Sequence, residues 1–404
     1  MYALTNCTLI DGTGRKPIHN AAIAIDGNRI TGVDTQARYP KDVKIVDLNG
    51  LVVMPGIFDL HYHCGGIVEL KPGKPHFVGK VDCNNYADAR EWSIENGVTS
   101  MRSAGDFFPD IVEVRDEINA GKLHGPRFFV TGAQFQAPGG HPGHTIMGGD
   151  PYVLKHAIRA VDDAKKARDE VKKLIEGGVD CIKAQLSSLD YWNYPRKVPK
   201  LRLDVLDAIV DEAHKNMRRV MVHSEVPDDA LDAVRIGTDS IEHVLAVGGE
   251  SVEMPDELIQ MMLDKNTYVV PCMTTVEIYD EKDPRRPKRF EDLKRIIKQL
   301  YDAGVNIACG TDAGAPDVYF GKAAHREMEI MVELGMSPMD TIVSATRKSA
   351  ENLNKGDELG TIEKGKLADI VAVSGNPVQN ISDTKNVKLV IKDGKVMVDK
   401  LGLL

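Results

Sequence analysis

The spacing of hydrophobic and polar positions changes twice along the chain. Tyr2 to Leu9 alternates loosely, Ala21 to Ile25 is a short apolar run, and Arg29 to Val33 follows a tight turn at Asp26-Gly27. Ile45 to Leu48 and Leu51 to Val53 flank a second turn at Asn49-Gly50. Short runs with period two, broken by Asp-Gly and Asn-Gly corners, predict strands joined by hairpins. The same pattern returns at the other end, where Ala368 to Val373, Val387 to Ile391 and Lys395 to Val398 surround Asp393-Gly394. Both ends are therefore expected to build one small β-sandwich domain, from residues 1–54 and 356–404.

The middle, residues 55–355, has another rhythm. Apolar β-rich runs alternate with longer, charge-speckled stretches of helical spacing. The runs are Ile57 to Leu60, Val98 to Met101, Phe128 to Val130, Val179 to Ile182, Val220 to Val222, Ser240 to Ile241, Tyr268 to Val270 and Val305 to Ala308. Helices are expected between them, for example over 160–176, 202–215, 255–264 and 289–303, with Gly177-Gly178 and Gly304 as stop signals. Eight strand–helix repeats are what a closed parallel barrel requires, so the fold expected is a (β/α)8 TIM-like barrel carrying the small β domain.

Composition adds little to this and excludes several classes. Of 404 residues, 42% are hydrophobic and 27% charged, as in an ordinary globular chain. The net charge of −9 with no long basic run argues against nucleic acid or an anionic membrane surface as a partner. No apolar stretch reaches the roughly 18 residues of a membrane span. The N-terminus has no basic-then-apolar leader, so a cytoplasmic location is the default expectation. Cys7, Cys64, Cys83, Cys181, Cys272 and Cys309 are scattered, without a C-x-x-C pair, and read as reduced thiols. A homo-oligomer is compatible with a barrel of this size.

Candidate chemistry gathers where the strands end, which is where barrel active sites sit. The first run leads into Asp59-Leu60-His61-Tyr62-His63. Residues two apart on a strand face the same way, so His61 and His63 project together. Later runs end in Lys183, His223, His243 and Asp312. Imidazoles and carboxylates at one structural level make a divalent metal site, and fit zinc, manganese, iron, cobalt or nickel. Lys183 has two readings. A protonated lysine cannot ligate a cation and would bind an anionic substrate. A neutral lysine can react with carbon dioxide to give a carbamate, whose two oxygens can bridge two metals.

Several stretches resemble the amidohydrolase superfamily, in its binuclear branch with a carboxylated lysine. Asn6 to Gly14 looks like that family's opening strands, Val53 to His63 like its first barrel strand, Gly310-Thr311-Asp312-Ala313 like its eighth, and Gly365 to Val371 like its return to the β domain. The resemblance covers almost the whole chain and implies a hydrolase. It implies that His61, His63 and Asp312 hold one metal ion, that His223 and His243 hold a second, and that carboxylated Lys183 bridges both with a hydroxide. Zinc is the expected metal. A bound metal brings the pKa of water to roughly 7, the second ion can polarise a carbonyl, and Asp312 would carry the proton to the leaving amine. Within the superfamily the chain looks nearest to imidazolonepropionase-like enzymes and Xaa-Pro or Xaa-Arg/Lys dipeptidases. Imidazolonepropionase itself fits less well, because it resembles a one-metal site that does not use the lysine. Pro138-Gly139-Gly140-His141-Pro142-Gly143-His144 resembles a Gly-Gly-His loop of that branch, which implies that His141 polarises the substrate carbonyl and that His144 lies near substrate.

Substrate choice is less legible. The stretch Gln185 to Lys200 holds Tyr191, Trp192, Tyr194, Arg196, Lys197 and Lys200. Tyr191 and Arg196 suit a substrate carboxylate, and equally suit a solvated loop. Glu225 can meet a substrate amine or cap the helix after it. The expected small-molecule substrate is a dipeptide or an N-acyl amino acid. A cyclic amide, urea or carbamate is the alternative, and a non-catalytic scaffold is the alternative of another class.

Overall fold

The computed structural model describes residues 1–34, 43–64, 68–71, 74–77, 86–189, 196–244, 253–282 and 289–403, with 68–71 and 74–77 as backbone alone. The two ends of the chain meet in one sheet. Tyr2–Leu9 pairs antiparallel with Ile18–Asp26, parallel with Lys44–Asp47 and parallel with Val52–Pro55. Val52–Pro55 in turn pairs antiparallel with Ile370–Val373, which continues through Val387–Lys392 to Lys395–Asp399. Hydrogen bonds link these strands, with Arg29–Asp34, into a single eight-stranded sheet rather than two separate ones. Leu4, Leu9, Ile23, Ile370 and Ile391 are among its fully buried side chains. The hairpin of Ile18–Asp26 and Arg29–Asp34 turns at Gly27, and Gly50 turns the chain between Lys44–Asp47 and Val52–Pro55, which both run parallel to Tyr2–Leu9 and do not pair with each other; both glycines have positive φ.

Between the ends lies an α/β unit of parallel strands and amphipathic helices. Arg127–Phe129, Val98–Ser103 and Ile57–Tyr62 form a three-stranded sheet. Ile158–Ala160, Gln134–Gln136, Cys181–Gln185, Arg219–Ser224, Ser240–His243 and Tyr268–Val270 form one of six. Helices such as Ala164–Glu176, Leu203–Lys215, Asp256–Lys265 and Arg289–Asp302 intervene, within a few residues of where the periodicity puts them. Each buries one stripe, for example Val205, Leu206 and Ile209.

Two details differ from the expected eight strands. Gln134–Gln136 and Ile158–Ala160 are extra strands, as are Val68–Lys71 and Lys74–Phe77, which form a two-stranded sheet of their own. Conversely, the run Val305 to Ala308 is not a strand: Ile307 alone bridges Val269. Even so, backbone bonds run along it. Ala308 N donates to Val269 O at 2.9 Å, and Leu60 N donates to Cys309 O at 2.9 Å. Asp180 N donates to Val130 O at 2.8 Å, across the other gap between the two sheets. Among the described residues no helix is long and apolar enough to cross a membrane. The described cysteines are all free, and Cys7, Cys181, Cys272 and Cys309 are buried; Cys83 lies outside the described residues.

Candidate active site

The strand ends converge on one cavity. His61, His63, His141, Lys183, His223, His243 and Asp312 all line it. Parallel register explains why. Cys181–Gln185 sets Gln185 opposite His223, and Arg219–Ser224 sets Ser224 opposite His243, so successive strands deliver their last polar residues to one level. Asp312 arrives by a different route. Its φ is 60°, and its N–H donates to His61 O at 2.7 Å, which turns the segment onto the first strand. Gly310 makes this close approach possible, because a Cβ there would stand 2.3 Å from Val270 and 3.0 Å from His61.

The nitrogens and oxygens stand at distances suited to a metal. Asp312 Oδ1 lies 3.3 Å from His63 Nε2 and 3.7 Å from His61 Nε2. The ring of His243 lies 4.7 Å from those of both His61 and His223, centroid to centroid. Ligand-capable atoms of His61, His63 and Asp312 all fall within 4.8 Å of one another, as do those of His141, His223 and Glu225. The set His61, His243 and Cys272 does too, which places a buried thiol beside these two histidines, behind the cavity lining.

Buried partners grip these groups from behind. His61 Nδ1 is 2.7 Å from Glu242 Oε2, which directs Nε2 towards the cavity. Glu242 Oε1 accepts from Arg102 Nη2 at 2.9 Å and from Ser240 Oγ at 2.6 Å, and Arg102 Nη1 donates to Asn352 at 2.7 Å. Asp59 accepts from Thr311 Oγ1 at 2.6 Å and from the N–H groups of Thr311 and His61. One carboxylate therefore ties the first strand to the Asp312 segment. His63 Nδ1 donates to Gly105 O at 3.1 Å. Helix Met273–Lys282, which brings Thr275 and Tyr279 to the cavity, is anchored by Glu327, which accepts from Met273 N at 2.9 Å and Thr274 N at 2.8 Å.

Electrostatics suits ligation. Burial pushes His61, His223 and His243 well below the usual imidazole range, and the crowding of other basic groups, Lys183 among them, acts in the same direction. They are neutral and able to ligate at pH 7. Burial acts the same way on His63, but its pairing with Asp312 outweighs this and raises it. Burial would raise Asp312, and His63 holds it below its ordinary value instead. Burial lowers Lys183 to about 8, and its Nζ has no hydrogen-bond partner among the described residues.

The other expected residues fall as follows. His141 is buried in the lining, stacked on His223 at 4.8 Å, with Nδ1 2.8 Å from Thr145 Oγ1. His144 and Arg196 are exposed and stand outside the lining. Tyr191 lies outside the described residues. Glu225 is buried in the lining, 3.4 Å from His223. Sequence pattern alone does not single out Glu242, Arg102, Asp59 or Gln134 as site residues. Only Asp59 and Glu242 carried a signal, each sitting within two residues of a ligand-capable histidine.

Residues 52–397 match the Amidohydrolase family and residues 1–53 the NagA composite domain. The chain belongs to the amidohydrolase family. Ochratoxinase of Aspergillus niger is 26% identical over 426 residues, covering 96% of this chain and 85% of the enzyme. Imidazolonepropionase of Cutibacterium acnes is 26% identical over 383 residues, covering 88% and 84%. A solved Xaa-Pro dipeptidase with methionine in its active site is 30% identical, with a TM-score of 0.85, over 98% of this chain and 99% of that one. The chain is thus a hydrolase, with amide C–N cleavage the activity its family and relatives support, and the non-catalytic alternative falls. The family generally uses a divalent metal centre, and the clustered histidines and Asp312 are groups able to hold one.

Proposed function

We propose that this enzyme hydrolyses the amide bond of a dipeptide or an N-acyl amino acid at a centre of two divalent metal ions bridged by carboxylated Lys183. The observation that carries the proposal is the Lys183 amine, buried among the histidines and without a hydrogen-bond partner among the described residues. A buried ammonium without a partner is costly, whereas the neutral amine is the form that adds carbon dioxide. The nitrogen lone pair forms a bond to the carbon, one amine proton leaves to solvent, and a carbamate anion results.

His61, His63 and Asp312 would hold one ion and His223 and His243 the other, with zinc expected and manganese, iron, cobalt or nickel compatible. When bound, such ions polarise a carbonyl and lower the pKa of water to about 7. Asp312, kept ionised beside His63, can accept a proton and pass it to the leaving amine. His141 is assigned to the substrate carbonyl. Thr145 Oγ1, 2.8 Å from Nδ1, orients the His141 ring in the cavity wall. The dipeptidase likeness, with its bound amino acid, supports an amino acid product.

In this proposal the two parallel sheets and residues 305–309 form one closed (β/α)8 wall, supported by the backbone bonds that span both gaps. The barrel takes residues 55–355, and the small β domain, built on its single eight-stranded sheet rather than a sandwich of two, takes 1–54 and 356–404.

The test is a panel of dipeptides and N-acyl amino acids offered to the metal-loaded enzyme, reading release of a free amino acid. Release from a coherent subset, with two ions bound per chain, is the expected result. No release from any member, with metal present, overturns the proposal and turns attention to cyclic amides, ureas and carbamates.

A further inference from the structure

Two glutamines in the cavity wall have hydrogen-bonding capacity that the proposed reaction does not use. Gln134 opens the strand Gln134–Gln136, and Gln185 closes the strand Cys181–Gln185, two residues beyond Lys183 and on the same face. Both line the cavity, Gln134 fully buried and Gln185 nearly so. The Gln185 amide nitrogen donates to the Gln134 carbonyl oxygen. The Gln134 amide nitrogen, with both its N–H groups, and the Gln185 carbonyl oxygen are left over, both buried and without a hydrogen-bond partner among the described residues. Exchanging N and O in both amides does not alter this balance. One amide must give and the other take, so the pair always retains an NH2 group on one side and a carbonyl oxygen on the other with no partner.

The backbone makes room for the pair. Gly105 has φ 116°, and a Cβ there would lie 2.7 Å from Gln134 Cδ. The carbonyl of the same glycine holds His63, while Gln185 is in register with His223. The pair therefore lies beside the reacting centre, between the His63 side and the His223 side.

Buried amide groups left unpaired are costly, so the contents of the cavity are expected to complete them. A carboxylate offers acceptors only, and would face the Gln185 oxygen unfavourably. An ammonium offers donors only. A hydrocarbon offers neither. An uncharged amide offers one C=O and one N–H together. Among the described residues of the lining there is no arginine, and Lys183 is the only lysine.

We propose that Gln134 and Gln185 form a subsite for a second, uncharged amide of the substrate, such as that of an N-acylated aminoacyl group, beside the bond that is cut. This rests on the amide-hydrolase assignment above and adds a substrate class to it.

The experiment compares N-acetylglycyl with pentanoyl amides of each amino acid released in the panel above. The two acyl groups have the same chain length, and only the first carries the second amide. The expected result is a kcat/KM about tenfold or more higher for the N-acetylglycyl member. The ratio should fall close to one in the double variant Gln134→Met/Gln185→Met, measured at equal metal content. Apolar groups of similar shape leave no orphaned partner, so that variant is expected to fold. Equal cleavage of both substrates by the native enzyme overturns the subsite and leaves the amide-hydrolase assignment standing; the pair is then completed by ordered water. A preference that survives in the double variant also overturns it, because the amide is then read elsewhere. Failure to cleave either substrate with metal bound removes the assignment itself, and the subsite with it.

Discussion

His61, Lys183, His223 and His243 stand on the ends of parallel strands, and the first of them is gripped from behind by a buried network of Glu242, Arg102, Ser240 and Asn352. The wall of the same cavity is built from other elements. His141 comes from a loop and is held by Thr145; Thr275 and Tyr279 come from a helix anchored by Glu327. The floor is over-determined by its parallel strands and the buried network behind them, so its groups have little freedom to vary in position. The wall is set by a few contacts each, so it is where one family can change substrates without disturbing the chemistry. If that contrast is real, changes in the floor should abolish reaction or metal, and changes in the wall should alter selection.

The largest effect is expected at Lys183. Lys183→Ala should lose the bridge, bind less metal and fall to near-background activity, with a short-chain carboxylate such as propionate restoring part of the rate. Metal analysis and kcat of the purified variant decide this. Full metal content and native rate would remove the carbamate from the floor altogether.

Asp312→Asn should come next. It keeps size and hydrogen-bonding shape but cannot take a proton, so kcat should drop by about 10²- to 10⁴-fold while the melting temperature of the loaded enzyme changes little. Unimpaired turnover would mean that the proton travels by another group. A smaller loss is expected from Glu242→Gln, which cannot hold His61 with a full charge. Metal affinity should weaken by about 10- to 100-fold, with kcat at saturating metal much less affected. An unchanged affinity in a metal titration would show that the network behind the floor serves packing alone.

The floor was legible in the sequence for a physical reason. A strand turns every second residue the same way, so His61 and His63 could be paired from spacing, and the β-rich runs located Lys183, His223 and His243. What supports the floor was not legible. Strand alternation sets Glu242 opposite to His243, and nothing local says that it reaches His61 across the sheet. Gln134–Gln136 has no β-branched residue and follows a Thr-Gly-Ala segment, so it gave no strand signal, and the pair with Gln185 was hidden with it. Val305 to Ala308 has a strand's composition. It pairs only at Ile307 because Gly310 and the left-handed Asp312 curl the segment onto His61. The helices were placed to within a few residues because their apolar stripes are long and regular.

The prediction with the smallest effect on activity concerns a histidine outside the cavity and asks whether burial alone explains the neutral imidazoles of the floor. His325 is buried on the helix Lys322–Glu333, with Nδ1 3.0 Å from Thr384 Oγ1 and Nε2 donating to Asn96 O at 2.9 Å. It ties that helix to the segment Ile381–Lys385 and faces no ligand cluster. Burial lowers its pKa from 6.5 to about 4, the same direction and first cause as at His61, His223 and His243. A histidine lowered on folding binds its proton better when unfolded. Its contribution to stability is present above pH 6.5 and is lost as the pH falls towards 4, by about 3 kcal/mol in all. His325→Gln keeps a neutral donor and acceptor and has no proton to take up. Relative to this variant, the native protein should therefore lose urea-unfolding free energy steadily between pH 6.5 and pH 4. Because His325 shares their burial but lacks their convergence, such a loss would establish that burial makes an imidazole neutral here and that geometry makes it a ligand. Parallel curves for the two proteins across that range would break the comparison, since burial would then not suffice to keep a histidine of this fold unprotonated.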